Sequence, residues 1–171
     1  MPIAVATLVE AQRILYTRLI STYIMPMDTK LPVSPIVVDA ECFCLNLKRA
    51  ARAVARRYDE ALGPVDLTNG QFSTLITIAG LQPVSMQILA ERLGMDRTTL
   101  TATLKPLQRR GLISIRPDTA DRRSRRLTLT DEGAVLLRDA VPLWKKVQQA
   151  VGRIVGNSSA PALRAQLTRL G

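Results

Sequence analysis

A mainly α-helical chain carrying one small β-hairpin is what this sequence predicts, and three observations predict it. Aromatic residues make up 4% of the 171 residues and hydrophobic ones 47%, so the core must be Leu, Val, Ile and Ala, which suits packed helices better than a sandwich. Apolar residues recur at three- and four-residue spacing between helix-start and helix-stop signals. Two alternating segments, Leu112–Arg116 and Arg126–Thr130, bracket a polar stretch rich in turn formers. At this length one globular domain with a small appendage is expected.

Residues 1–38 read as an N-terminal extension and linker, either an accessory helix over 4–24 or a disordered segment. Glu10, Arg13 and Arg18 interrupt its apolar run, so it is no membrane span, and the linker is marked by Pro32 and Pro35. Residues 1–26 can equally precede a functional start near Met25 or Met27. The remaining 39–171 form the main domain. A helix over 41–62 carries the apolar row Cys44, Leu47, Ala51, Val54, Tyr58 and Leu62, and Gly63-Pro64 ends it. Thr68 and Gln71 make a capping-box pattern opening a helix through Phe72, Leu75, Ile76 and Ala79. Ser85 caps a short helix, Met86–Leu93, that stops at Gly94. Asp96 caps the next, which Gly111 ends; Leu100, Leu104 and Leu107 are its inward stripe and Pro106 bends its second half. After the hairpin, Thr130 caps a long helix over 131–155 with Asp131 and Glu132 in its first turn and a bend at Pro142. A last helix, 159–170, starts at Ser158 or Ser159 and aligns Leu163, Leu167 and Leu170.

Several functions are excluded by composition. There is no histidine, which removes Ser-His-Asp and Cys-His nucleophile systems and His-ligated zinc. The two cysteines, Cys42 and Cys44, form neither a disulfide framework nor a CxxC metal pair. No catalytic residue, metal ligand or cofactor is expected, and the chain reads as a cytoplasmic protein rather than an enzyme or a membrane protein.

The net charge of +10, from 24 Lys and Arg against 14 Asp and Glu, implies a standing attraction for polyanions. It is concentrated: the stretch from Arg92 to Arg126 holds ten basic residues against Asp96, Asp118 and Asp121. Two short helices joined by a tight turn, followed by a basic hairpin, make a winged helix-turn-helix over about 66–130. The second helix would lie in the DNA major groove. Its outward residues Arg97, Thr98, Thr99, Thr101, Ala102 and Lys105 suit base edges and phosphates. Arg122, Arg123, Arg125 and Arg126 at the hairpin tip suit the narrow, strongly negative minor groove. The terminal helices 41–62, 131–155 and 159–170 carry more apolar positions than so small a core covers, which predicts a homodimer with Trp144, Val147, Val151 and Ile154 at the seam.

The stretch PDTADRRSRRLTLTDEG resembles the wing motif D-x-R-(small)-x-x-(apolar)-x-L-T-x-x-G of the MarR (multiple antibiotic resistance regulator) transcription factors, with Asp121, Arg123, Ser124, Leu127, Leu129, Thr130 and Gly133 matching in order. FCLNLKRAARAVARRYDEAL, LTNGQFSTLITIAG and LAERLGMDRTTLTATLKPLQRRGLI are also similar, so the resemblance covers about 42–155. It implies a homodimeric repressor whose two reading heads meet a palindromic double-stranded DNA operator. It further implies that Arg123 enters the minor groove, with Asp121 bracing it or a neighbouring arginine, and that a small-molecule or peroxide effector releases the DNA. Cys44 and Tyr58 match the reactive cysteine and the partner-subunit tyrosine of the hydroperoxide-sensing branch, while Lys48 and Asn69 stand where that branch has two further tyrosines. Cys44 and Tyr58 are therefore the candidate redox sensor. Cys42, two residues away on the same helix, is expected to point elsewhere. The rival reading is a winged-helix module whose arginines bind an acidic protein partner.

Overall fold

Short-range capping chemistry sets most element boundaries. The computed structural model describes residues 32–118 and 124–170, so the accessory helix over 4–24 and the wing-tip residues Asp121, Arg122 and Arg123 lie outside the described residues. The chain divides after Asn46 into two compact units.

The first unit contains helix α1 (Pro35–Glu41) and the first residues of α2 (Phe43–Leu62). The sequence reading put a linker at Pro35, yet a helix starts there. Pro35 stands in the first turn, where its missing N–H costs nothing, and Ser34 Oγ accepts from the Ile36 amide at 3.3 Å. The helix expected from Glu41 is instead broken at Cys42, whose ψ of 106° is extended. Asn46 Nδ2 donates to the carbonyls of Asp39, Ala40 and Cys42 at 3.1–3.3 Å, satisfying acceptors that the break exposes.

The second unit continues α2 and, after a 3₁₀ turn at Gly63–Val65, runs through α3 (Asn69–Leu81), β1 (Val84–Ser85), α4 (Met86–Leu93), α5 (Arg97–Arg109), β2 (Ile113–Pro117), β3 (Arg125–Leu129), α6 (Asp131–Val155) and α7 (Ala160–Thr168). The Thr68–Gln71 capping box is present with both bonds, 3.0 and 3.2 Å. Ser85 accepts from the Ile88 amide at 3.3 Å and Asp96 from the Thr99 amide at 2.8 Å. Thr130 Oγ1 accepts from the Gly133 amide at 3.1 Å. Gly94 (φ 61°) and Gly111 (φ 70°) take the left-handed conformation that turns the chain out of α4 and away from α5.

The sheet is three-stranded and antiparallel in the order β1-β3-β2. The expected hairpin strands are shifted by one residue, to Ile113–Pro117 and Arg125–Leu129; the Thr130 amide still donates to the Leu112 carbonyl at 3.1 Å, while its hydroxyl caps α6 and donates to the Gly111 carbonyl at 2.7 Å. Val84–Ser85 adds a strand that local patterning did not show.

Leu62, Leu75, Ile78, Leu89, Leu100, Leu107 and Leu127 are fully buried, each contributing about 1.5–3 kcal/mol of apolar burial. Helix α3 runs through Phe72, Leu75, Ile76 and Ala79 as expected, with Ile76 42% exposed and Ile78 and Thr74 buried; Thr74 tolerates burial because its hydroxyl donates to the Gly70 carbonyl at 2.8 Å. Trp144 is half-buried and stacks on Phe72 with ring centroids 6.1 Å apart, while Val147, expected at the seam, is buried within the chain itself.

Candidate nucleic-acid interface

Helix α5 owes its presentation to its own sequence. Leu100, Leu104 and Leu107 anchor one side in the core, which leaves Arg97, Thr98, Thr99, Thr101, Ala102 and Lys105 exposed on the rest. No acid occurs within the helix. Asp96 is at its N-cap, where the carboxylate accepts the Thr99 amide and, at 2.7 Å, the Thr99 hydroxyl. These two bonds, the hydroxyl first, hold the Asp96 carboxyl below its ordinary pKa. Its negative charge is thereby committed to the helix start, where the dipole favours it.

The threonines are less free than the sequence suggested. Thr101 donates to the Arg97 carbonyl at 2.7 Å and Thr103 to the Thr99 carbonyl at 3.0 Å. With each hydroxyl proton engaged, the oxygens of Thr99 and Thr101 meet a ligand as acceptors, with methyl groups beside them. At the far end, Arg110 donates to the Asp66 backbone carbonyl and lies 3.5 Å from the Asp66 carboxylate. That carboxylate is almost fully exposed, so the ion pair contributes little; the bond to the backbone is the firmer link.

Beside the start of α5, the hairpin closes a cleft of about 670 Å³ lined by Met86, Ala90, Glu91, Arg97, Ser124 and Arg125. Arg125 is exposed and Ser124 half-buried. The structure thus brings Arg97 of the reading helix and Arg125 of the hairpin to one cleft. Sequence reasoning missed Asp118, which it counted only as an acid diluting a basic stretch. Asp118 is buried, its carboxylate accepts from Arg126 Nε, and its amide donates to the Ser124 carbonyl at 3.0 Å. Alternation along one strand puts Arg116 and Asp118 on one face, but only the register, with Arg116 opposite Arg126, brings Arg126 to the same face.

Cys44 is exposed and Cys42 half-exposed. Cys42 lies outside α2, so helical spacing no longer separates the two thiols. Tyr58 is buried and donates to Gln148 Oε1 of α6 in the same chain. Burial raises its pKa, and the Arg164 guanidinium partly offsets that rise.

Comparison with known proteins gives a consistent set. The MarR family model matches residues 67–124, from the end of the 3₁₀ turn to the hairpin. The structure of the M. tuberculosis transcriptional regulator MosR in complex with DNA is 42% identical, covering 76% of this chain and 93% of that one, with a TM-score of 0.69. The transcriptional repressor CouR, bound to a 23-mer DNA duplex, is 29% identical over 81% of this chain and 98% of its own, with a TM-score of 0.72. The organic hydroperoxide resistance transcriptional regulator of Bacillus subtilis (strain 168) is 29% identical over 100 residues, 58% of this chain and 68% of that protein.

Proposed function

The chain belongs to the MarR family, and on that premise we propose that it is a homodimeric repressor that binds a palindromic double-stranded DNA operator and releases it on a small-molecule or oxidant signal. The observation that carries this reading is the acid-free exposed face of α5 set beside Arg125 across one cleft. Helix α5 enters the major groove, where Arg97 and Lys105 meet guanine acceptors or phosphates and Ala102 meets a thymine methyl. Thr98, Thr99 and Thr101 reach base edges. The hairpin follows the backbone into the minor groove with Ser124 and Arg125, joined by Asp121, Arg122 and Arg123.

Dimer formation is supported by apolar side chains that one chain leaves open. Leu47 and Val54 on α2, Ile154 and Val155 on α6, and Leu163 and Leu167 on α7 are 36–65% exposed. Exposed apolar groups that gather into one patch mark an interaction surface, and their recurrence on these three helices supports 41–62, 131–155 and 159–170 as dimerisation helices. MosR and CouR are transcription regulators, and this reading likewise includes no catalytic step. Among the described residues no helix is long and apolar enough to cross a membrane, and the site of action is the cytoplasm, where the DNA is.

The test is selection of bound fragments from the source genome, followed by titration of the recovered duplex against salt. Engaging about 6–10 phosphates predicts a loss of roughly 10³–10⁵ in affinity between 50 and 200 mM salt. A flat salt profile, or a monomer by sedimentation at micromolar concentration, overturns the proposal. Salt-insensitive capture of an acidic protein with no DNA shift would favour the protein-interaction reading.

A further inference from the structure

We propose that Asp118 is the positioning residue of the wing: by fixing the Arg126 guanidinium and closing the hairpin neck, it sets where Arg125 meets DNA. The proposal rests on the DNA-binding reading above. Pairing of Ile115 with Leu127, Arg116 with Arg126 and Pro117 with Arg125 puts Ser114, Arg116 and Asp118 on one face, opposite Thr128, Arg126 and Ser124. Two arginines therefore face each other directly, a pairing in which like charges repel. The structure turns them apart. Arg116 Nε donates to Ser114 Oγ at 3.3 Å, toward the root of the hairpin, whereas Arg126 Nε donates to the Asp118 carboxylate, toward its tip.

Asp118 is the one buried charged side chain among the described residues, with 8% of its surface exposed. A carboxylate so placed needs a close cationic partner, and Arg126 supplies it through Nε while the rest of its side chain stays partly exposed. The Asp118 amide donates to the Ser124 carbonyl at 3.0 Å, adding a rung beyond Pro117, whose ring nitrogen has no hydrogen to donate. Side chain and backbone of one residue thus tie both strands together immediately beside Arg125.

Charge counting and positioning predict opposite signs. By charge alone, neutralising an acid in the most basic stretch of the chain should tighten DNA binding and free Arg126 for a phosphate, steepening the salt slope by about 0.9. By positioning, the same change should loosen the neck and weaken binding. The experiment titrates the full chain and its Asp118→Asn, Arg126→Gln and doubly substituted variants on the selected operator and on a scrambled duplex, with thermal melts and Arg Nε–H NMR spectra of the free proteins.

Asp118→Asn should weaken both duplexes by about tenfold, roughly what one charge-assisted hydrogen bond is worth. The salt slope should not steepen, the melting temperature should stay close to wild type, and the Arg126 Nε–H signal should lose its protection from exchange. The double variant should bind no worse than the weaker single one, because both remove the same link. Equal or tighter binding by Asp118→Asn, or full additivity in the double variant, overturns the proposal while leaving DNA binding intact. A wild-type chain that binds neither duplex overturns the functional reading itself and this proposal with it.

Discussion

A β-carbon on Gly133 would stand 2.2 Å from the carbonyl oxygen of Leu112 and 2.8 Å from Leu129 Cδ1. The first turn of α6 is thus pressed against the root of the hairpin, and the same Leu112 carbonyl accepts the Thr130 amide at 3.1 Å. Since the nearest obstacle is backbone, it cannot swing aside. Gly133→Ala should destabilise the fold by about 3 kcal/mol, the upper end for overpacking, as read from urea denaturation. Wild-type stability in that variant would mean that α6 does not make this close approach.

Acid should selectively loosen the start of α5. The folded-state pKa of Asp96 is lowered by the Thr99 hydroxyl and amide bonds, so its contribution is complete above the unfolded Asp value of about 3.8 and disappears as pH falls through the lower folded value. Asp96→Asn still caps but does not titrate. The protection of the Thr99 amide from hydrogen exchange, relative to its intrinsic rate at each pH, should therefore fall on acidification in wild type more than in the variant. Identical acid profiles would remove Asp96 from this role.

Base preference should reside in α5 and general affinity in the hairpin. Because the Thr101 hydroxyl proton is held by the Arg97 carbonyl, its oxygen suits the amino groups of cytosine or adenine. Thr101→Val keeps the shape and should relax the choice at one operator position by about 1–3 kcal/mol. Thr98→Ala and Lys105→Ala should act likewise at their own positions. Arg125→Ala should weaken all sequences alike, with a salt slope shallower by about 0.9. If the hairpin variant changed base choice and the helix variants did not, the two assignments would have to be exchanged.

The Cys44 thiol is exposed on the single chain, although the apolar row it shares with Leu47, Ala51 and Val54 predicts burial near a dimer seam. Cys44→Ser should retain operator binding and lose release by cumene hydroperoxide, because a sulfenic acid forms only on the thiol. Parallel binding titrations with and without peroxide check this. Wild type that keeps its operator under stoichiometric peroxide would remove Cys44 from the release signal.

Features that depend on a few neighbouring residues were legible in the sequence. Thr68, Ser85, Asp96 and Thr130 were each read as helix caps, and each side chain accepts an amide of its own first turn. The exposed face of α5 followed from the spacing of three leucines. What was missed depends on distant partners. Val84 is a strand residue only because Leu127 lies beside it, and Trp144 turns inward because Phe72 offers a ring to stack on. Asp118 becomes a brace only once strand register is known. The break at Cys42 has no glycine or proline to mark it, and capping by Ser34 and Pro35 starts a separate helix upstream.

Strand β1 contributes only Val84 and Ser85 to the ladder, reaching as far as Leu127. Beyond it, Gln82 Oε1 accepts the Leu129 amide at 2.7 Å, so a side chain occupies the place a longer strand would have filled. An uncovered amide at that point would be a docking place for a foreign strand. With it plugged, and with Pro117 ending β2, the hairpin can project from the body without inviting strand exchange between neighbouring molecules.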